Sequence, residues 1–175
     1  QSLHTAVIGL GSMGFGMAKS LLRSGHLTHG FDVTQSKIDR FIAEGGTPGR
    51  LFDVAPKLQA VVCVVLNAAQ TENALFGKDG VVPRLSSGAV ILSCATVSPD
   101  FAQEMEARCS ALNIHYLDAP ISGGAVKAAQ GQLSVMASGS STAFAKARPI
   151  LDSLSKTVFE LGDSAGAGSA MKATN

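Results

Sequence analysis

The chain has 175 residues, of which 46% are hydrophobic and 15% charged, and its formal net charge at neutral pH is +1. This size and apolar content are enough to bury the core of one domain, which excludes a disordered chain. The near-zero charge and the scattered lysines and arginines exclude the basic surface that nucleic acid or an anionic membrane requires, so we expect a small-molecule partner.

Local composition excludes further classes of protein. No signal-like segment precedes the first apolar run and no apolar run reaches the length of a membrane span, so we expect a cytoplasmic protein without membrane contact. Cys63, Cys94 and Cys109 lack the spacing of metal ligands or of a redox pair, and the four histidines are scattered. We therefore expect free thiols, histidines at the surface or at strand ends, and no metal site.

The first predicted elements lie between Thr5 and Ala18, where a short apolar run meets a glycine cluster and the start of an amphipathic helix. The glycines give the pattern G-x-G-x-x-G of a dinucleotide-binding turn. Gly9 permits the tight turn, Gly11 lets a pyrophosphate approach the backbone, and Gly14 lets the helix lie close to the strand. The predicted cofactor contacts in this turn are Gly9, Leu10, Gly11, Ser12, Met13 and Gly14.

The next apolar run, residues 27–31, ends in Asp32. An acidic residue about 20 positions after the glycine turn accepts hydrogen bonds from an adenosine ribose, and its charge repels a 2′-phosphate. Asp32 therefore favours NAD over NADP, although the nearby Lys37 leaves some NADP tolerance open. The alternative is that Asp32 caps the following helix.

The remaining elements alternate between strands and helices. The predicted elements are a helix over 36–44, a short third strand within 46–49, helical turns within 52–57, a central fourth strand over 60–66, a helix over 71–76 and a strand over 89–93. They continue with a helix over 100–112, a strand over 114–117, a helical segment over 127–130, a strand over 133–137, a helix over 142–155 and a strand over 157–161. This order predicts an α/β fold of the Rossmann type, a doubly wound and mostly parallel sheet with extra strands.

Several residues fall where predicted strands end, at the edge of an open α/β sheet where ligands bind. Leu66 and Asn67 close the central strand and are predicted cofactor contacts, and Thr96, which follows the strand over 89–93, offers a hydroxyl at the same edge. Ser98 with Pro99 has the pattern of a helix N-cap followed by a first-turn proline. We expect Ser98 to serve as that cap.

Two later segments have residues suited to chemistry. Ser122, Gly123 and Gly124 offer a hydroxyl and unobstructed backbone N–H groups for a substrate carboxylate or hydroxyl, although an ordinary tight turn uses the same residues. Near the end of the chain a glycine pair opens a helix that carries Lys172. Lys172 is a candidate for proton transfer, and a solvated surface lysine is the alternative.

Three motifs, taken in order, make the chain similar to a known family. They are GLGSMGFGMAKSLL at 9–22, DAPISGGAVKAAQGQL at 118–133 and GAGSAMKATN at 166–175. Together they resemble the N-terminal part of the β-hydroxyacid dehydrogenases, the family that includes 3-hydroxyisobutyrate dehydrogenase and tartronate semialdehyde reductase. Ala95 departs from the pattern, because many members have serine there.

The resemblance implies a role for each site residue. It implies that Ser122, Gly123 and Gly124 hold the substrate, that Lys172 is the general acid/base, and that Thr96 contacts the cofactor. Asn175 is a weaker candidate for a substrate contact, because some members place an amide one residue further on.

The resemblance also implies an activity and a domain organisation. The implied reaction is NAD-dependent oxidation of a hydroxy acid, such as the sugar acid L-threonate. A reductase of a small semialdehyde, of the tartronate or succinic type, and a non-catalytic NAD-binding module are the alternatives. Residues 1–162 would form the Rossmann domain and residues 163–175 would begin a helix toward a C-terminal helical domain that this chain lacks. That domain usually completes a homo-oligomer, and the segment alone is expected to be inactive.

Overall fold

The structure is a computed structural model and describes residues 2–174. Its strands are β1 (His4–Ile8), β2 (Leu27–Phe31), β3 (Ala60–Cys63), β4 (Val90–Ser93), β5 (His115–Asp118), β6 (Ile121–Ser122), β7 (Leu133–Ala137) and β8 (Ser155–Glu160). Its helices are α1 (Ser12–Arg23), α2 (Gln35–Ala43), α3 (Leu51–Val54), α4 (Ala68–Phe76), α5 (Pro99–Ser110), α6 (Gly124–Gln130), α7 (Ser141–Leu154) and α8 (Ala167–Thr174), with 3₁₀ turns at Ala55–Lys57 and Val82–Arg84. None of the helices within residues 2–174 is long and apolar enough to cross a membrane.

The first five strands form one parallel sheet in the order β2-β1-β3-β4-β5. The residues of β3 and β4 are all buried, as expected for parallel strands with helices on both faces. The strand order reverses direction at β1, so β1 and β3 flank the crevice where open α/β sheets bind ligands. The predicted Rossmann-type fold is therefore confirmed.

The extra strands form a second sheet of their own rather than extending the first. Its order is β6-β7-β8, with β6 antiparallel and β8 parallel to β7. An isolated bridge between Asp118 and Ser138 joins the end of β5 to the segment after β7. The second sheet is thereby attached to the carboxyl edge of the first.

The predicted short strand within 46–49 is wrong, because the chain forms no strand between residues 44 and 50 of the described structure. Pro48 has no N–H to donate to a ladder, and Gly49 adopts a φ of +145°. Thr47 alone donates a backbone hydrogen bond to a strand, to the Thr28 carbonyl. The strand that begins at Ala60 is consequently the third along the chain, and it keeps its predicted central place.

The predicted locations of the cysteines and histidines had different outcomes. All three cysteines are free and buried, as expected. His26 is only 4% exposed but directly precedes β2, so it lies at a strand end as expected. His29 is only 2% exposed and lies in the middle of β2, which contradicts the expected surface or strand-end position. His26 is held inside by a hydrogen bond from the Leu3 N–H to Nδ1, 3.0 Å, and by contact with the Ser153 hydroxyl.

Candidate active site

The glycine turn between β1 and α1 has the geometry that its pattern predicts. Gly9 adopts a φ of +100°, and a Cβ added to it would lie 2.1 Å from the Val64 carbonyl oxygen. A Cβ added to Gly14 would lie 1.8 Å from the Gly9 carbonyl oxygen. Both positions exclude a side chain, because the turn is tight and α1 lies directly against it.

Gly11 differs from its two neighbours. An added Cβ there would meet no atom within 4 Å, so the turn does not need glycine at this position for its own packing. Gly11 is also the N-cap of α1, and the N–H groups of Ser12, Met13 and Gly14 in the first turn have no partner within the helix. An open surface beside unpaired backbone N–H groups, at the positive end of a helix dipole, fits the diphosphate of a dinucleotide.

Asp32 lies at the end of β2 and faces the glycine turn. Its Oδ2 accepts the Leu10 N–H at 2.7 Å, and its Oδ1 accepts the Thr34 N–H at 2.9 Å. The N-cap residue of α2 is Thr34, so Asp32 does not cap that helix. The structure thus brings the predicted ribose-binding carboxylate beside the predicted phosphate-binding turn.

The other predicted cofactor residues lie in loops at the same edge of the sheet. Leu66 is 84% exposed, and the Asn67 side chain accepts the Gln70 N–H as the N-cap of α4. This cap explains why α4 begins at Ala68, earlier than predicted. Thr96 is exposed in the loop between β4 and α5, where the Ser98 hydroxyl caps α5 as expected.

The segment Ser122 to Gly124 connects β6 to α6. Gly123 and Gly124 adopt φ values of +138° and +79°, and a Cβ added to Gly124 would meet no atom within 4 Å. The turn therefore leaves one glycine facing open space. Helix α6 packs against α1, because the Ser20 hydroxyl donates to the Ala128 carbonyl at 2.8 Å. The helix of the glycine turn and the helix after the Ser-Gly-Gly turn are in direct contact.

Lys172 lies in α8 and is partly exposed. Helix α8 packs closely on the second sheet, since a Cβ added to Gly168 would lie 2.2 Å from the Met136 carbonyl oxygen of β7. The side chain of Lys172 is one helical turn beyond Ser169 on the same side of α8. Asn175 lies outside the described residues.

A buried carboxylate at the start of α8 was not predicted from the sequence. Asp118 is fully buried, and its Oδ2 accepts the N–H groups of Gly166 (3.2 Å) and Ser169 (2.8 Å). Its Oδ1 accepts the Ser169 hydroxyl at 2.7 Å. Burial raises the pKa of Asp118, and the hydrogen bonds from Ser169, Gly166 and Ser138 oppose that rise. Two sequence features together could have identified this site: an aspartate at the end of a predicted strand, and a later helix that starts with Gly-x-Gly-Ser.

A second carboxylate supports the same segment. Glu106 of α5 accepts the Ala165 N–H at 3.0 Å through Oε2. Burial raises the pKa of Glu106, and the nearby Asp118 raises it further. No group of three His, Cys, Asp or Glu side chains among residues 2–174 is arranged to hold a metal ion.

The profile of a family described as the NAD binding domain of 6-phosphogluconate dehydrogenase matches residues 4–162. The chain belongs to this family. It is an NAD-binding domain, and the match includes the glycine turn and Asp32.

Individual relatives are hydroxyacid dehydrogenases. L-threonate dehydrogenase of Pectobacterium atrosepticum is 41% identical over 169 residues, which are 95% of this chain and 56% of that protein. The NAD-dependent L-serine dehydrogenase of Pseudomonas aeruginosa is 36% identical over 97% of this chain and 57% of its own length. A crystal structure of 3-hydroxyisobutyrate dehydrogenase from Salmonella typhimurium superposes with a TM-score of 0.92 and 43% identity, over 97% of this chain and 60% of that one. The chain therefore spans less than two thirds of the length of the relatives it matches.

Proposed function

We propose that this chain serves in an NAD-dependent oxidoreductase that oxidises a hydroxy acid. The observation that carries the proposal is a hydrogen bond at the carboxyl edge of the parallel sheet. The Val97 N–H donates to the Ser169 hydroxyl at 3.3 Å, so the loop with Thr96 and the helix with Lys172 are directly joined. A predicted cofactor contact and a predicted proton-transfer group thus belong to one connected unit.

The residues proposed to hold NAD lie along this edge. The open backbone at Gly11 and the first turn of α1 would bind the diphosphate, and Asp32 would accept the ribose hydroxyls. NAD supplies a hydride acceptor for the carbon that carries the substrate hydroxyl. The full set of proposed contacts is Gly9, Leu10, Gly11, Ser12, Met13, Gly14, Asp32, Leu66, Asn67 and Thr96.

Lys172 is proposed as the general base in the oxidation. A hydroxy acid that becomes a carbonyl compound loses a hydride from carbon and a proton from the hydroxyl oxygen. Lys172 would accept that proton and return it when the reaction runs in reverse. Its partial exposure at the end of α8 leaves the amine accessible to a ligand.

The substrate is proposed to be a small hydroxy acid, with the sugar acid L-threonate as the first candidate. The names of the relatives support this class, since they include L-threonate, L-serine and 3-hydroxyisobutyrate dehydrogenases. Ser122 and the backbone of Gly123 and Gly124 would bind its carboxylate or hydroxyl groups. Gly124 contributes the backbone that faces open space.

A domain division accompanies the proposal. Residues 1–162 would form the NAD-binding unit, and residues 163–175 would lead to a C-terminal helical domain that completes the site and a homo-oligomer. The greater length of the relatives supports this division. The second candidate function, semialdehyde reduction, uses the same residues in the opposite direction.

The test is NADH formation by the protein in its full-length form. NAD is offered with L-threonate, L-serine and 3-hydroxyisobutyrate, and NADH is offered with tartronate and succinic semialdehydes. We expect the highest kcat/KM with NAD and L-threonate, and a higher KM without loss of NAD binding in Ser122→Ala. Nicotinamide binding without turnover of any of these compounds would contradict the proposal and indicate a non-catalytic module.

A further inference from the structure

We propose that Asp118 and Ser169 form a positioning pair that sets the place of Lys172 relative to the loop of Thr96. This inference rests on the proposed role of Lys172 as the general base. It assigns to Asp118 and Ser169 no contact with the substrate or the cofactor. They act by fixing the rotation of α8 about its own axis.

Helix α8 is attached to the end of β5 through Asp118. Asp118 is fully buried, and its two oxygens accept three hydrogen bonds from the start of the helix, from the Gly166 N–H and from the N–H and hydroxyl of Ser169. The Ser138 hydroxyl accepts the Gly168 N–H at 2.9 Å. Unpaired N–H groups at a helix start are thereby bound to a rigid strand end rather than to water.

The buried Ser169 side chain fixes the direction in which α8 faces. Ser169 is fully buried, and its hydroxyl donates to Asp118 while it accepts the Val97 N–H. Ser169 and Lys172 are three residues apart and therefore lie on the same side of the helix, one turn apart. Fixing the Ser169 side chain between β5 and the Thr96 loop fixes the direction in which Lys172 leaves the helix.

Helix α8 also packs closely against the sheet at Gly168. A Cβ added to Gly168 would lie 2.2 Å from the Met136 carbonyl and 3.1 Å from the Asp118 carbonyl, so α8 cannot slide toward the sheet. Close packing sets the distance of the helix from the sheet, and the hydrogen bonds of Asp118 set its rotation. Together they would hold the Lys172 amine to the tolerance that proton transfer requires.

The experiment compares four variants of the full-length protein with the parent. Ser169→Ala removes the hydroxyl that joins Asp118 to Val97, and Asp118→Asn removes the charge with little change of shape. Thr174→Ala is the matched control, because the Thr174 hydroxyl donates to the Met171 carbonyl within the same helix. Lys172→Ala provides the reference for loss of the base. Each variant is measured for kcat, KM, the dissociation constant of NADH and thermal unfolding.

We expect kcat to fall by about 10- to 100-fold in Ser169→Ala and Asp118→Asn, since a displacement of about 1 Å has this effect on oriented groups. KM and NADH affinity should stay near the parent values, and Thr174→Ala should match the parent in all measurements. This split between kcat and KM is not expected of a residue that merely stabilises the fold.

The outcomes that overturn the proposal are distinct. If Lys172→Ala is inactive while Ser169→Ala keeps the parent kcat, the positioning pair is wrong and the proposed function stands. If Ser169→Ala loses NADH binding together with kcat, its role is structural and the inference fails. If Lys172→Ala keeps the parent activity, the proposed function itself fails and the inference fails with it. Ser169→Ala decides the result should Asp118→Asn not fold.

Discussion

Replacing Gly11 with alanine separates NAD binding from the stability of the fold. The added methyl group would meet no protein atom within 4 Å, and the Gly11 φ of −69° is ordinary for alanine. Alanine is a poorer N-cap than glycine, but it also lowers the entropy of the unfolded chain, so the two effects of about 0.4–1 kcal/mol offset each other. The unfolding temperature should change by less than about 4 °C.

The same methyl group should weaken NAD binding strongly. It would stand where the diphosphate must approach the first turn of α1, and one charge-assisted hydrogen bond contributes about 1.5–3 kcal/mol. Loss of one such bond corresponds to a Kd increase of about 10- to 100-fold. NADH fluorescence titration and thermal unfolding of the same preparation measure both quantities. An unchanged Kd, or a large fall in the unfolding temperature, would refute the assignment of Gly11 to the phosphates.

Three further substitutions test other parts of the structure. Gly14→Ala should destabilise the fold by more than about 2 kcal/mol in urea unfolding, because its Cβ would lie 1.8 Å from the Gly9 carbonyl; a stable variant would contradict the close packing of α1. Asp32→Asn should weaken NAD binding about tenfold and narrow the preference for NAD over NADP, as measured by titration with both; an unchanged preference would remove Asp32 from the ribose site. Burial lowers the pKa of His26 in the folded protein below its ordinary value of 6.5. As the pH falls, the unfolded chain therefore takes up a proton at His26 before the folded protein does. The free energy of unfolding consequently decreases as the pH falls through 6.5 and the lower folded pKa. His26→Gln should flatten this acid limb of the urea-unfolding profile, and a limb of undiminished slope would exclude His26 as its cause.

The glycine turn could be predicted from the sequence because its requirements are local. Gly9 and Gly14 exclude side chains through contacts with the turn itself and with the segment that follows the neighbouring strand β3, and the pattern records those contacts directly. Asp32 was predictable for a related reason, since the end of the strand that follows the first helix lies beside the turn in a βαβ unit. The strand predicted at 46–49 from the alternation of strands and helices was wrong, because Pro48 has no N–H to donate and Gly49 adopts a positive φ.

The attachment of α8 could not be predicted, because its partners are distant in sequence and several of them are backbone groups. Asp118 and Ser169 are 51 residues apart, and the second sheet brings them together. The buried place of His26 has the same origin, since Ser153 lies 127 residues away from it. Hydrogen bonds of this kind depend on tertiary packing, and the periodicity of apolar residues carries no record of them.

Lys172 is proposed to perform proton transfer on a hydroxy acid while NAD is held at the glycine turn. NADH formation from NAD and L-threonate by Lys172→Ala, beside the control Lys19→Ala, tests it most directly, because Lys19 is a surface lysine paired with Glu44 at 2.8 Å. We expect Lys19→Ala to keep the parent kcat, and Lys172→Ala to bind NADH normally but to lose kcat by about 10²- to 10⁴-fold. A Lys172→Ala variant that oxidises L-threonate at the parent rate would contradict it.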